Sequence, residues 1–436
     1  MSQNECPYLV GVAEVDVTPP LGSKLAGFAS RTGGATGVYL PLRAITTAIT
    51  ERATDHTVII VSLEWLGFYD NTDNVRAQIE ALTGVTEANI LLCGTHTHCG
   101  PPMREFVDGQ CREGIDKPWL EKAFANIAAT AKQAMETRQP MSLSSTIGWC
   151  GLARSRRRPD GKGGVTWNPT LDAPHDHTVP MLRFNDEQGA LRHVLFGYAA
   201  HTSAAGQILE FGGDYAGFAM VELAKELGCT CAFLQGCAGD QKAYLHKDED
   251  GFPKYTIDEV HEMGRHLALA VEREIKFGRW QEVSGVLSAQ NQKVDLNLTV
   301  LSRDEYAAWL ESKNPFFVKW ARAHVEMLDR GEKPDTAIRL ELQAVRFGNS
   351  LVMLAMSGEM SAEYGLRTVK EFGSRFGQVW PVAYANGIVG YVCSERQLPE
   401  GGYEVFSNMQ GIMKPGPYIS GTEDKIFNTA RQMLTS

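Results

Sequence analysis

Three times along the chain a strand-like run, a short polar turn and a second, more apolar run follow one another. Ala44 to Glu51 turn through Ala53-Thr54-Asp55 into Thr57 to Leu63; Val179 to Phe184 turn through Asn185-Asp186-Glu187 into Leu191 to Ala200; Leu340 to Phe347 turn through Gly348-Asn349 into Leu351 to Met356. Apolar and β-branched runs separated by Asn, Asp or Gly in this way predict β-hairpins. Ala88 to Cys93 and Cys231 to Leu234 predict two further strands. Between these runs the period changes to that of amphipathic helices, over Ala216 to Leu227 and Asp258 to Glu274, and over Arg303 to Leu328 with a break at Pro315. The last of these suits a helix packed on the domain, with a lid or a subunit contact as the alternative. Together they predict an α/β protein with a mixed sheet containing hairpins and flanked by helices, not a pure βαβ alternation.

An ionisable residue stands where each apolar run stops. Glu64, His201 and Glu359 follow the three hairpins; His96 and His98 follow the strand at 88–93; Asp240 follows the strand at 231–234. Side chains placed beyond strand ends can converge in a crevice while the sheet holds them rigid. The pattern therefore predicts a site at the strand ends.

Composition narrows the class of function. No low-complexity tract, linker or solenoid-period repeat divides the 436 residues, 43 % of them hydrophobic, enough for one large α/β domain or two fused ones. The net charge of −10, spread without long blocks of one sign, argues against a nucleic-acid groove or an anionic membrane surface and for a small-molecule substrate. No run of some 18 apolar residues predicts a membrane span, and the opening residues lack a basic region followed by an apolar core, so a cytoplasmic chain is expected. The nine cysteines include no CxxC pair and are read as reduced, buried thiols. A homo-oligomer stays open.

His96 and His98 are two apart, so on an extended strand end both would project from one face with backbones roughly 6–7 Å apart. Spacing alone allows both to be metal ligands. A second such pair, His175 and His177, lies in a Pro-containing polar segment and is read as surface histidines. Glu359 directly follows an apolar strand, where a carboxylate must be solvated or paired. Two histidines and a glutamate at strand ends match what a catalytic zinc requires, three protein ligands and an open position.

With these residues on the page, the chain resembles the catalytic, N-terminal domain of the neutral/alkaline non-lysosomal ceramidase family. The resemblance rests on V-G-V-A-E-V-D-V-T-P-P (10 to 20), G-T-H-T-H-C-G-P (94 to 101), Y-A-A-H (198 to 201), G-G-D-Y-A-G (212 to 217), G-C-A-G-D (236 to 240), S-G-E (357 to 359) and Y-A-N-G-I-V-G-Y-V (384 to 392), in that order, and covers about residues 10 to 405. It implies one Zn2+ bound by His96, His201, Glu359 and Tyr391, the last as a phenolate that a divalent cation can ionise. It further implies His98 as the proton shuttle and Arg156 and Tyr403 near the scissile carbonyl. The family stretch G-D-V-S reads Gly239-Asp240-Gln241-Lys242 here, and the resemblance implies a single catalytic domain over 1–436 without the further C-terminal β domain of secreted members; both departures point away from ceramide toward a water-soluble substrate.

The expectation is zinc-dependent hydrolysis of an amide or related bond. Zinc lowers the pKa of its water, His98 moves the proton, and the metal with Arg156 and Tyr403 stabilises the oxyanion. Glu64 and Asp240 are read either as groups that orient the ligands or as structural residues. A metal-dependent lyase or epimerase with His98 or Lys242 as base is the alternative, and a non-catalytic binding protein a third reading.

Overall fold

A computed structural model describes residues 6–103, 116–246 and 250–435. The three predicted hairpins form: Arg43–Glu51 with Thr57–Leu63, Thr178–Asp186 with Leu191–Tyr198, and Ala337–Phe347 with Leu351–Met356. Each is extended in the same way. A helix follows the second strand (Thr72–Thr83, Asp214–Leu227 and Ala362–Phe372) and returns the chain as a parallel strand beside it, at Ile90–Gly94, Thr230–Gln235 and Gln378–Val382. The recurrence visible in the sequence is thus a ββαβ unit used three times. The second strand of each unit lies between two neighbours under covering helices, which explains its unbroken apolar run. Val58–Leu63 and Leu351–Met356 are buried at every position.

The first two units share one sheet, in the order Thr230–Gln235, Leu191–Tyr198, Thr178–Asp186, Gln139–Trp149, Tyr8–Asp16, Arg43–Glu51, Thr57–Leu63, Ile90–Gly94. That sheet curls until its two ends meet, where Ser62 Oγ donates to the Phe233 carbonyl at 2.6 Å. The third unit, with Leu287–Asn297 on its outer edge, forms a second sheet. Backbone bonds tie the ends of the three parallel strands together: Gly94 N–H donates to Tyr384 O at 3.2 Å, and Ala383 N–H donates to Gln235 O at 2.8 Å. All three units therefore deliver their strand ends to one place.

The helices sit as their ends dictate. Gly11 allows the helix Lys117–Glu136 to lie against the sheet, since a Cβ there would stand 1.9 Å from the Ala134 carbonyl. Ile257–Phe277 begins at a capping box of Thr256 and Glu259. The stretch expected as one broken helix is two, Arg303–Ala308 and Pro315–Asp329. Pro315 opens the second, with Asn314 Oδ1 accepting from Phe316 N–H, because proline at a first helical position loses no hydrogen bond. All eight described cysteines are free, seven of them buried. Among the described residues no helix is long and apolar enough to cross a membrane.

Candidate metal centre

The strand Ile90–Gly94 stops where its pairing with Thr57–Leu63 stops, and the chain then turns instead of running on extended. His96 takes a left-handed φ of 63°, held by its N–H donating to Trp65 O at 2.9 Å. The expected extended His-x-His geometry is therefore replaced by a turn. It still presents both rings to one side, with centroids 5.0 Å apart. A non-glycine residue in this region costs of order 1–3 kcal/mol and persists only where its surroundings fix it.

His201 follows the second of the three hairpins, and its backbone bridges Lys242. Glu359 follows the third and pairs in parallel with Tyr391 across the two-residue strands Glu359–Met360 and Tyr391–Val392, so that the two side chains stand side by side. His96 Nδ1 lies 2.9 Å from the Leu66 carbonyl and His201 Nδ1 lies 2.7 Å from the Ala238 carbonyl. A carbonyl only accepts, so each Nδ1 carries a hydrogen, and each ring in its neutral form presents the Nε2 lone pair. Those Nε2 atoms stand 3.3 and 3.2 Å from one oxygen, Glu359 Oε2, which is buried without a hydrogen-bond donor among the described residues. The Tyr391 hydroxyl lies 3.1 Å from His201 Nε2.

Three acceptor atoms facing one another in a buried site require a positive charge between them. Around a tetrahedral ion with bonds of about 2.0–2.1 Å, ligand atoms lie about 3.3 Å apart, which is the spacing found. Burial drives His201 down to about 4, keeping its ring neutral and able to ligate. Burial opposes the charge on Glu359, but positive charge at His96 and His201 holds it well below the usual carboxylate range, a part that a bound cation would play beside neutral rings. The residues present fit a metal ion.

His98 stands beside this set on the wall of a cavity of about 460 Å³ that also reaches Phe28, Glu359, Tyr391, Tyr403 and Phe317. Neither of its ring nitrogens has a hydrogen-bond partner among the described residues. Burial, then His96 and His201, push its pKa well below the imidazole range, leaving a neutral ring. Phe28 packs edge-on against it at 4.9 Å, and Gly27 behind it takes a φ of 92°, where a Cβ would lie 2.5 Å from the ring. One ring nitrogen of each of His96, His98 and His201 falls within 4.8 Å of the others, so position alone leaves His98 within reach of a shared ion.

Tyr403 lines the cavity, its ring 5.2 Å from that of Tyr391. Arg156 stands behind the two phenols, 5.1 Å from the Tyr391 ring and 5.5 Å from the Tyr403 ring, with Nη2 buried and unpartnered among the described residues. Its Nε donates to Glu404 Oε1 at 2.6 Å, and Arg157 Nη1 donates to Glu404 Oε2 at 2.6 Å. Tyr403 and Glu404 open a π-helical turn, Tyr403–Ser407, which aims the phenol at the cavity and the carboxylate at the two arginines. Glu404 was invisible in the sequence, being one carboxylate among many in a segment without periodicity. Tyr384 was also passed over; its ring packs 4.3 Å from that of His96 and its hydroxyl lies 3.4 Å from His201 Nδ1. The motif Y-A-N-G-I-V-G-Y contains it, and only its last tyrosine was taken.

Glu64 and Asp240 do not orient the imidazoles; the Leu66 and Ala238 carbonyls do. Glu64 Oε2 accepts from the backbone N–H and Nε of Arg43, and Asp240, pushed up to about 6 by burial, accepts from Ala362 N–H and Gln397 Nε2. Lys242 lines a neighbouring cavity, where burial pushes its ammonium down to about 8. His175 and His177 lie elsewhere, partly buried, each with a ring nitrogen at a backbone carbonyl.

The family model described as neutral/alkaline non-lysosomal ceramidase, N-terminal, matches residues 8–235. Among solved structures, the neutral ceramidase from Pseudomonas aeruginosa superposes with a TM-score of 0.74 at 19 % identity, over 98 % of this chain and 73 % of that one. A ceramidase complexed with C2 superposes with a TM-score of 0.75 at 18 % identity, over 98 % and 74 %. No curated protein matches the chain in sequence. At these identities the solved structures establish a shared fold.

Proposed function

The chain belongs to the neutral/alkaline non-lysosomal ceramidase family, and from that premise we propose that it is a zinc-dependent hydrolase of an amide bond in a small, water-soluble N-acyl compound. The observation that carries this reading is the convergence of the Nε2 atoms of His96 and His201 and the Tyr391 hydroxyl with the Glu359 carboxylate, whose Oε2 has no hydrogen-bond donor among the described residues. Two neutral imidazoles, one carboxylate and one phenol oxygen suit a borderline-soft ion such as Zn2+, with His96, His201, Glu359 and Tyr391 as its ligands. When bound, such an ion lowers the pKa of water and polarises a carbonyl.

The chain's own residues supply the rest. His96 and His201 are pinned by their Nδ1 bonds to the backbone, whereas both nitrogens of His98 are unengaged, which favours His98 as proton carrier over His98 as ligand. It takes the proton of the attacking water as the new C–O bond forms, and returns it to the nitrogen as the C–N bond breaks, releasing an amine and a carboxylate. Tyr403, on the cavity wall, donates toward the developing oxyanion, and Arg156 behind it adds positive charge held in place by Glu404. Lys242 opens onto the far side of Phe28 and does not line this cavity, which leaves a lyase or epimerase reading without that base.

N-hexanoylglycine and a long-chain ceramide, offered separately to the protein as isolated and after dialysis against a chelator, test the reading. The short compound should be hydrolysed, the activity should disappear on chelation, and zinc should restore it. Turnover of the ceramide with none of the short compound would overturn the substrate assignment; activity indifferent to chelation would overturn the metal.

A further inference from the structure

Beyond Phe28 lies a second cavity, also of about 460 Å³, and the Phe28 ring borders both. Lys242, Ser203, Ile208 and Phe252 line it. Lys242 stands on the short strand Gln241–Ala243, fixed on one side by pairing with Ala153–Pro159 and on the other by its bridge to His201. Its backbone is therefore held at a set position relative to the metal centre. Its ammonium lies 5.0 Å from the centroid of the Phe252 ring, and among the described residues no carboxylate comes within ion-pair distance of it. Asp214 is near enough to act on it electrostatically, but that carboxylate accepts from Ala205 N–H and Tyr215 N–H. Ser203 is buried at the same wall.

An ammonium with no carboxylate in ion-pair contact among the described residues, on the same cavity wall as a buried serine, is a site open to an anion. Lys254 also lines the cavity but is engaged with another group, and Lys242 with the Ser203 hydroxyl matches a singly charged, planar oxyanion better than a phosphate dianion. We propose that this second cavity is the subsite for a carboxylate on the amine half of the substrate, so that the compounds cleaved are N-acylated amino acids or closely related anionic amides. The acyl group then occupies the apolar cavity at His98, and the carboxylate passes Phe28 to reach Lys242 and Ser203. This rests on the hydrolase reading above and adds the substrate class to it.

The probes are N-hexanoylglycine, N-hexanoyl-β-alanine and 4-(hexanoylamino)butanoate, each beside its uncharged primary amide. Calorimetric binding and kcat/KM are both measured, for the wild type, Lys242→Met and Lys242→Arg, with thermal melts to establish that the variants fold. At least one acid should bind about tenfold tighter than its amide, the worth of one hydrogen bond to a charged group, and be cleaved with the same preference. Lys242→Met should bring acid and amide within about twofold of each other, and Lys242→Arg should keep the preference. Equal or undetectable binding of acid and amide by the wild type overturns the subsite, as does a Lys242→Met variant that keeps the preference or weakens both compounds alike. Selective, Lys242-dependent binding without cleavage overturns the hydrolase reading and leaves the subsite standing. Cleavage without selectivity does the reverse.

Discussion

His98→Ala is expected to keep its metal and to lose roughly 10²- to 10⁴-fold in kcat on a short N-acyl substrate, the usual worth of a positioned proton carrier. The two histidines of the Thr95-His96-Thr97-His98 turn differ in one physical respect. His96 is oriented by a carbonyl on its Nδ1 and aims Nε2 at Glu359, while His98 is clamped only by its neighbours, Phe28 and the close approach of Gly27. A ring held by packing with both nitrogens unengaged can exchange a proton with a bound substrate. Gly27→Ala should act in the same direction with metal content unchanged, because its Cβ would displace the His98 ring and its φ of 92° disfavours any side chain. Metal content and kcat on N-hexanoylglycine for the two variants decide the matter. Loss of the ion from His98→Ala would make His98 a ligand, an arrangement that the 4.8 Å clustering of the three histidines allows, and the proton carrier would then have to be sought elsewhere.

Glu404→Ala should cost about 3–5 kcal/mol of stability, the range for removing one partner of a buried ion pair. Its carboxylate is shared by Arg156 and Arg157, all three side chains being at most 3 % exposed. Arg157 retains Glu400 at 3.0 Å and the Gly401 carbonyl at 2.8 Å when Glu404 is gone. Arg156 retains its hydrogen-bonding contact with Tyr391 and the ring faces of Trp167 at 4.3 Å and the two phenols, none of which supplies the anion that a buried guanidinium needs. Most of the loss should therefore come from Arg156, and Arg156→Met combined with Glu404→Ala should recover part of it. Urea unfolding of the single and double variants measures this. A loss below about 1 kcal/mol in Glu404→Ala would mean that water reaches the pair and that the carboxylate does not fix Arg156 behind the phenols.

The fold was legible where a single period governs. The three hairpins could be read because their second strands are dominated by apolar residues, and Glu64, His201 and Glu359 marked where those apolar runs stop. The parallel strand that completes each unit was recognised at Ile90–Gly94 and Thr230–Gln235 as an isolated apolar run. At Gln378–Val382 it was not, since Trp380-Pro381 interrupts the pattern, and Pro381 is accepted there on a strand whose known partner is Leu351–Met356 alone. The site was legible in its ionisable residues and not in what orients them. Leu66 and Ala238 contribute carbonyls, a property every residue shares, so no residue type could reveal them. Glu64 and Asp240 attracted attention as carboxylates at strand ends, yet Glu64 serves Arg43 and Asp240 serves Ala362 and Gln397. The turn at His96 escaped because a left-handed histidine obeys a tertiary constraint, the crossing beneath Trp65, that no local pattern encodes.

Everything proposed for the chemistry depends on an ion between His96, His201 and Glu359, and its stoichiometry is the most direct measurement. Elemental analysis of protein purified from a zinc-replete host should find close to one zinc per chain in the wild type and almost none in the His96→Ala, His201→Ala double variant. Two of the three convergent acceptors are then missing, and the wild type should melt at a higher temperature than its own chelated form, since an ion bound only by the folded state stabilises it. A wild type free of metal under those conditions, or a double variant that still carries one ion per chain, would contradict the metal centre and the hydrolytic chemistry built on it.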